Sequence, residues 1–353
     1  MAADEAFRAL VLAHFCSQYD VDALVTEAPF LHLPKWKNLA ESSHLQSAKR
    51  AAALLGLHLR AHRDFTVRCT NRESTFLKEE NYYRGAATAA LTSYPALLDA
   101  AQGIWHSTGD ARPVSLLRGM ETRLGQALRA RDYFHVRVRS FSPAETWDDA
   151  VFFFEFALLL MGGALDAGAR FCHRVFNVAG DERLVSWRNR RWRRSLRDAV
   201  PDLTKLAEGR SAQSPLPIAN AIGILRNFIH AEALSNEFHF DGGIDEEPLI
   251  MDFNQGALAL PPDDGKRFRQ FVNVLGDEEE WGVREGFRGV VLLLPAPFLE
   301  RALAKTLGAL AELADVLSHM LIAHREDRFD PSFSIPGYVY ANELLALTGL
   351  EAS

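Results

Sequence analysis

The sequence predicts a mainly α protein: a helical N-terminal region joined to a helical bundle that carries a small β insertion. The chain has 353 residues, 48% hydrophobic and 24% charged, which is ordinary for a globular protein with a large core. Apolar residues recur at spacings of three and four over most of its length, which indicates amphipathic helices. Between residues 238 and 297 short apolar runs replace this pattern and indicate strands.

Residues 1–135 form the predicted helical N-terminal region, to which the sequence assigns no role. Stretches rich in Ala and Leu predict its helices at 4–19, 45–62, 86–102 and 114–130. Loops with Pro residues are predicted near 29–34 and 108–113.

The clearest helix boundary is the sequence Ser142-Pro143-Ala144-Glu145. Serine can cap the free amides, proline suits the first helical position, and glutamate can complete a capping box. The predicted helix runs to residues 179–180 and is apolar on almost every side, so we expect it to be central and buried. Its Gly162-Gly163 pair favours close helix packing over phosphate binding.

The remaining elements are predicted in the second half of the chain. A hairpin is expected around Asn254-Gln255-Gly256, where two apolar runs flank a turn sequence. In chain order the predictions are a basic stretch at 187–197, a helix at 218–237, a β insertion at about 238–297 with a further strand at 287–294, a helix at 297–323 and a tail at 326–353.

Charge is distributed unevenly around a formal net charge of −7. Residues 1–140 hold 18 basic against 14 acidic residues, whereas residues 237–285 hold 4 against 13. Bulk charge therefore does not favour nucleic-acid binding by the whole chain, and a polyanion is expected to meet its first two thirds.

The sequence predicts a cytoplasmic protein. Cys16, Cys69 and Cys172 are odd in number and far apart, so neither a disulfide framework nor a cysteine zinc site is expected. The N-terminal residues are acidic where a signal peptide would be basic. The longest apolar run, 151–164, contains Glu155 and is shorter than the roughly 20 residues of a membrane-spanning helix, so we expect no membrane contact.

Arg226 and His230 are candidate catalytic residues on the predicted helix 218–237. A spacing of four places both on one face, at the edge of an apolar stripe. Histidine can transfer a proton near neutral pH, and arginine can hold a phosphate and stabilise its developing charge. Asn227 can add a hydrogen-bond donor. These side chains suit cleavage of an RNA phosphodiester, in which the 2′-hydroxyl is the nucleophile and no metal or other cofactor is required.

The spacing alone is weak support, because 32 Arg and 12 His predict an Arg followed four residues later by His about once by composition. A second instance joins Arg131 to His135. The Arg226 copy is favoured because Asn227 follows it and a long apolar helix precedes it. The alternative is that Arg226 and His230 cap or bridge neighbouring helices.

The sequence LRNFIHAEAL, preceded by the apolar helix that ends in GALDAGAR, resembles the HEPN superfamily of bacterial helical proteins, many of them ribonucleases in defence and toxin systems. The likeness covers roughly residues 140–325 without the β insertion. The family motif is an Arg, often followed by Asn, Asp or His, and then a His after four to six residues; here three intervene. The resemblance implies an all-α bundle, a homodimer with two motifs facing one cleft, and metal-independent RNA cleavage by Arg226, Asn227 and His230.

Glu155, Asp166 and Arg170 lie toward one side of the long apolar helix. One hypothesis places Glu155 or Asp166 beside Arg226 or His230, where a carboxylate would orient them. The alternative is an internal ion pair between Asp166 and Arg170 that fixes helix register.

The segment WRNRRWRRSLR, residues 187–197, is a candidate RNA-binding element in an acidic chain. Arginines suit phosphate contacts, and tryptophans suit stacking on the bases of single-stranded RNA. Alternatively, the Trp side chains pack on the core and the arginines pair with the acidic stretch 237–285. The residues concerned are Trp187, Arg188, Arg190, Arg191, Trp192, Arg193, Arg194 and Arg197.

Other chemistries find little support in the sequence. His58 and His62 have the spacing of a helical metal pair but lack an obvious third ligand, so no metal site is predicted. The sequence has no GxxxxGK[ST] and no GxSxG motif, and no GxGxxG follows a predicted strand. The function hypotheses are therefore a metal-independent endoribonuclease, or a non-catalytic binding or scaffold protein that retains an HEPN-like bundle.

Overall fold

The structure is a computed structural model that describes residues 24–25, 45–46, 48–63, 65–68, 74–76, 78–138, 143–231, 257–286 and 290–323. The described residues up to 63 belong to one compact unit, and those from 65 onward belong to a second. The division falls inside the predicted N-terminal region. The helices between residues 79 and 138 therefore belong to the same unit as the rest of the bundle.

In the first unit, strands β1 (Leu24–Val25) and β2 (Leu45–Gln46) pair in parallel, and helix α1 (Ala48–Ala61) follows. The helix predicted at 45–62 is confirmed except for its first residues, which pair with β1 as a strand. The predicted helix 4–19 and loop 29–34 lie outside the described residues.

The described part of the second unit is mainly helical, as predicted. Its helices are α2 (Glu79–Ala90), α3 (Tyr94–Thr108), α4 (Arg112–Val138), α5 (Pro143–Val175), α6 (Arg190–Ala199), α7 (Thr204–Ala207), α8 (Pro215–Ala231), α9 (Pro262–Leu275) and α10 (Pro295–Ala323). Its strands are β3 (Thr66–Arg68), β4 (Ser74–Phe76), β5 (Leu258–Leu260), β6 (Val283–Glu285) and β7 (Val291–Leu293). Strands β3 and β4 form an antiparallel pair, and the other three form an antiparallel sheet in the order β5-β7-β6.

The central feature of this unit is an antiparallel hairpin of α4 and α5. Phe134 of α4 contacts Phe154 of α5, whereas Met120, earlier in α4, lies near Gly168, later in α5. Helix α10 packs on the same hairpin, since Phe298 contacts Phe154 edge-on with ring centroids 6.2 Å apart. These aromatic rings are almost fully buried and form the middle of the core.

The helix predicted at 86–102 is wrong as a single element, because α2 ends at Ala90 and α3 begins at Tyr94. Pro95 lies in the first turn of α3, where its missing N–H is harmless; inside a continuous helix it would remove a hydrogen bond. The predicted loop 108–113 is confirmed at its centre, where Gly109 takes a left-handed conformation with φ of 76° and ends α3.

Helix α5 begins at Pro143, as the capping sequence predicts, and ends at Val175, earlier than the predicted stop. The left-handed Asn177, with φ of 48°, follows its end. By length and composition Thr146–Val175 could cross a membrane, but half of its apolar window is buried inside the structure, and core helices of soluble proteins have these same properties. The expectation of burial on every side is wrong, since Phe152 is 60% exposed and Phe156 is 41% exposed.

The β insertion is confirmed in part. Strands β5 and β7 lie within the predicted strand sequences and pair with each other. Helix α9 between them is not predicted by the sequence pattern; it buries only Gly265, Phe268 and Val272. The predicted hairpin partner around residues 248–253, and the end of the predicted helix 218–237 beyond Ala231, lie outside the described residues.

Candidate functional site

Arg226 lies on α8 where this helix crosses α5. A Cβ atom at Gly162 of α5 would lie 3.6 Å from Ile222 Cγ2 and 4.0 Å from an Arg226 guanidinium nitrogen. These are ordinary van der Waals distances, so a methyl group at Gly162 would not displace α8, and the packing role of this glycine stays a prediction. The crossing of the two helices brings Arg226 over the surface of α5.

Asp166 of α5 is the ion-pair partner of Arg226. The guanidinium nitrogen is 3.5 Å from the carboxylate Oδ2, and the two side chains are 40% and 32% exposed. At that distance and exposure the pair contributes at most about 1 kcal/mol to stability. Because a guanidinium has five N–H donors, Arg226 keeps donors for a ligand.

Arg188 of the basic segment belongs to the same site. Its guanidinium lies over Gly223, one turn before Arg226, and a Cβ at this position would overlap it. Burial lowers the pKa of Arg188; Asp166 opposes this effect, while the positive charges of Arg226 and Arg267 add to it. Arg188 therefore lies close to the carboxylate of Asp166 and to two other guanidinium groups, and we call Arg188, Arg226 and Arg267 the arginine cluster.

Arg267 comes from the start of α9 and has its own acidic neighbour, Asp264, at 3.7 Å. Arg123 of α4 lies on the other side of the glycine pair: a Cβ at Gly163 would lie 2.9 Å from its Cδ. Arg123 donates a hydrogen bond to the carbonyl of Gly119 and, among the described residues, forms no ion pair. Positive charge therefore extends from the arginine cluster along α5.

The other two residues of the predicted motif follow Arg226 on α8. Asn227 is exposed. His230 lies one turn beyond Arg226 in the helical backbone, and its side chain is outside the described residues. The structure thus brings Arg226 together with Asp166 and Arg188, and it leaves the position of the imidazole as a prediction.

The three charged residues predicted on one side of α5 do not form one group. Asp166 pairs with Arg226, and these described residues show no Asp166–Arg170 pair. The Nε atom of Arg170 is buried without a hydrogen-bond partner. Glu155 is eleven residues before Asp166, or about 16 Å along the helix, so it lies outside the arginine cluster.

Both tryptophans of the basic segment are core residues, as the alternative interpretation predicts. Trp187 is fully buried and donates its indole N–H to the Leu165 carbonyl at 3.0 Å. Trp192 is 4% exposed and meets Trp187 edge-on. Neither ring offers a free face to a base, so the expectation that they stack on RNA is corrected.

Apart from Arg188, the arginines of this segment divide into two groups. Arg193 donates a hydrogen bond to the Trp187 carbonyl, and Arg197 pairs with Asp198 and Glu208. The others are exposed and form no ion pair with any residue that the structure describes, including residues 257–285 of the acidic stretch. These exposed arginines are Arg190, Arg191 and Arg194 on α6.

The second Arg-to-His spacing, Arg131 to His135, lies in a buried charge network. Arg131 donates from Nε and a terminal nitrogen to Asp132 Oδ1 at 3.1 and 2.7 Å, and Tyr83 donates to Asp132 Oδ2 at 2.8 Å. His135 Nε2 is 2.6 Å from Glu300 Oε1, and a terminal nitrogen of Arg131 is 3.6 Å from Glu300 Oε2. The network connects α2, α4 and α10. Since Arg131, which joins its two carboxylates, is only 2% exposed, we interpret this network as a feature that stabilises the fold.

The pKa of Glu300 predicts acid sensitivity. Burial acts to raise this pKa, but the charge of Arg131 and the hydrogen bond with His135 outweigh burial and hold it below its ordinary value of 4.5. A carboxyl group whose pKa is lower in the folded protein than in the unfolded chain stabilises the fold at pH values above its unfolded pKa. This stabilisation is lost as the pH falls through its folded pKa. We therefore expect the free energy of unfolding to decrease below about pH 4.5 in the wild type and to change less in Glu300→Gln.

Denaturant unfolding from neutral pH down to about pH 3 measures this difference. Glu285→Gln is the control, because this carboxylate is 72% exposed and 3.6 Å from its arginine partner. Parallel pH profiles for wild type and Glu300→Gln would contradict the prediction.

Ligands for a metal ion are not grouped in the described part of the chain: no cluster of three or more His, Cys, Asp and Glu side chains occurs there. His58 and His62 of α1 have ring centroids 4.4 Å apart. Among the described residues, no third His, Cys, Asp or Glu lies close enough to complete a metal site with them. Cys172 is buried in α5, and burial raises the pKa of its thiol to about 12, so it is an inert core residue.

The fold and the site together define a mainly α bundle with a solvent-accessible arginine cluster beside its central helix. Compared with known proteins, the chain matches no family model, no curated protein and no solved structure. The resemblance to the HEPN superfamily therefore rests on the motif residues themselves.

Proposed function

We propose that this protein is an HEPN-like, metal-independent endoribonuclease that binds single-stranded RNA at the arginine cluster. The observation that carries the proposal is the meeting of two sequence features that were identified separately. Arg226 of the RNxxH motif and Arg188 of the basic segment lie near the same carboxylate, Asp166. Clustered arginines whose N–H groups are not all occupied can donate charge-assisted hydrogen bonds to the oxygens of a phosphodiester.

The charge balance of the site favours an anionic ligand. Arg226 and Arg188 lie near Asp166, while Arg267, whose positive charge also acts on Arg188, has its own acidic neighbour, Asp264. The mutual repulsion of the arginines contributes to the lowered pKa of Arg188, and a bound phosphate would relieve this repulsion. Asp166 holds the Arg226 guanidinium over α5 before a ligand arrives, which reduces the entropy lost on binding.

In the proposed reaction the 2′-oxygen of RNA loses its proton and attacks the adjacent phosphorus. The P–O5′ bond breaks, which leaves a 2′,3′-cyclic phosphate on one product and a protonated 5′-hydroxyl on the other. His230, one turn from Arg226, transfers a proton to or from the reacting oxygens. Arg226 and Arg188 stabilise the charge that develops on the phosphate, and Asn227 donates a hydrogen bond. The proposal includes a homodimer, as the family resemblance implies, and a location in the cytoplasm, as the cysteines and the acidic N-terminal residues predict.

A second candidate function is a non-catalytic binding or scaffold protein. The observation that favours it is the spacing of the motif, since only three residues separate Arg226 and His230. This protein would keep the RNA affinity of the arginine cluster, or its dimer contact, without turnover.

The test is cleavage of end-labelled single-stranded RNA in the presence of EDTA. We expect cleavage by the wild type, and a loss of about 100-fold or more in His230→Ala and Arg226→Ala. Arg301→Ala is the matched control, because Arg301 is 44% exposed and pairs with Glu280 on another part of the bundle. Thermal unfolding of each variant establishes that it folds.

The outcomes separate the two functions. Cleavage that persists in His230→Ala would overturn the proposed catalytic role. RNA binding without cleavage by any variant would support the non-catalytic protein. Absence of both binding and cleavage by the folded wild type would contradict both RNA functions.

A further inference from the structure

The central helix α5 exposes two aromatic rings that its bundle packing leaves uncovered. Phe152 is 60% exposed and Phe156 is 41% exposed, although most aromatic side chains of the described bundle are buried. Their rings are nearly parallel, at 9°, with centroids 6.2 Å apart. Two large apolar side chains in water cost free energy, so a partner that covers them would bind favourably.

These rings lie on the same stripe of α5 as the positive charges. Phe156 follows Phe152 by four residues and Gly163 follows by seven more, so the three positions share one helix face. Arg123 covers Gly163, and Asp166 with its Arg226 partner follows one turn later. From Phe156 to Asp166 the stripe spans ten residues, or about 15 Å.

We propose that Phe152 and Phe156 are a stacking platform for the bases of single-stranded RNA whose phosphates are held by Arg123 and the arginine cluster. The inference rests on the proposed function, since it requires RNA at the cluster. Proteins bind single strands through a basic path beside aromatic rings, because each base has an apolar face and each phosphate a charge. On α5 the aromatic rings come first along this stripe, and the positive charges lie beside its C-terminal part.

Charge on the stripe selects the occupant and its direction. Arg123 and the arginine cluster lie at its C-terminal end. Exposed Asp148 and Asp149 lie one turn before Phe152, and Asp149 pairs with Arg137 at 3.4 Å. An RNA strand therefore places its phosphates at the C-terminal end, where the positive charges outnumber the negative ones, and its bases at the rings. A duplex does not suit this surface, because its bases are already stacked on one another.

The test compares two probes of equal charge: a single-stranded uridine oligonucleotide and an abasic oligomer with the same number of phosphates. The wild type is expected to bind the uridine probe more tightly, and stacking predicts about a tenfold loss of uridine affinity for each ring removed. In Phe152→Leu and Phe156→Leu the preference for the uridine probe should therefore decrease. Affinity for the abasic probe, and the salt dependence of binding, should not change.

Trp105→Leu is the matched control, since Trp105 is a 42% exposed aromatic residue on a different helix, α3. Equal wild-type affinity for the two probes would overturn the stacking platform and leave phosphate binding intact. Failure of the wild type to bind either probe would instead overturn the proposed function. If the Phe variants changed only the concentration dependence of sedimentation, a second copy of this chain would be the occupant, and the inference would be wrong.

Discussion

Arg131→Met is expected to lower the free energy of unfolding by about 3–5 kcal/mol, the largest effect on stability that we predict. Arg131 is 2% exposed and carries the positive charge between Asp132 and Glu300. Burial disfavours this charge, but the two carboxylates outweigh burial and raise the pKa of Arg131. Methionine fills much of the same volume, so the loss measures mainly the carboxylate of Asp132, which is 5% exposed, left without its cation; Glu300 is 37% exposed and is partly solvated.

Chemical denaturation of Arg131→Met beside Arg129→Met tests this prediction. Arg129 is two residues earlier on α4 and also forms a bidentate pair, with Glu79 at 2.8 and 3.0 Å, but its side chain is 43% exposed. Because this cation is partly solvated in the folded protein, its attraction to Glu79 is screened by water and salt, and we expect Arg129→Met to cost about 1 kcal/mol or less. Similar losses in the two variants would show that burial does not determine the role of Arg131.

The contrast between Arg131 and Arg226 shows how far the sequence predicts the site. Both residues precede a histidine by four positions on a helix, and both are followed by a residue that resembles the family motif. The sequence favours Arg226 through its neighbours on the helix, and the structure finds Arg226 accessible and Arg131 buried. Burial depends on α2 and α10, which are distant in sequence, so local pattern could not establish it.

The elements that were predicted well have local causes. The start of α5 is encoded by Pro143 and its neighbours, and the loop that follows α3 by Gly109. Helix α9 was missed because it buries few apolar residues and lies between two apolar strands, whose pairing is a tertiary event. The division of 86–102 into two helices had a local signal in Pro95, which the strong Ala-rich periodicity obscured.

The proximity of Arg188 to Arg226 also depends on tertiary structure, but Gly223 is a sequence signal for it. Arg188 reaches α8 because Trp187 is anchored in the core by its hydrogen bond to Leu165. The guanidinium then occupies the space over Gly223, where a side chain would overlap it. A glycine in the middle of a helix costs about 1 kcal/mol relative to alanine, so its presence signals a close approach.

The double variant Arg188→Ala/Arg226→Ala is expected to show the largest loss of RNA affinity. Each phosphate contact removed lowers the slope of log affinity against log salt by about 0.7 for a single strand, so two contacts should lower it by about 1.4. Affinity at low salt should fall by roughly 100-fold or more, because two charge-assisted hydrogen bonds contribute about 1.5–3 kcal/mol each. Binding of labelled single-stranded RNA between about 50 and 200 mM salt measures both quantities.

Gly223→Ala separates a displaced Arg188 from a damaged fold. The new methyl group must move the guanidinium, which is the far end of a flexible side chain, while alanine favours the helix by about 1 kcal/mol. We therefore expect weaker RNA binding in a variant that is no less stable than the wild type.

If the double variant kept the wild-type salt slope, the phosphates would contact other cations, and exposed Arg190, Arg191 and Arg194 on α6 would be the next to replace.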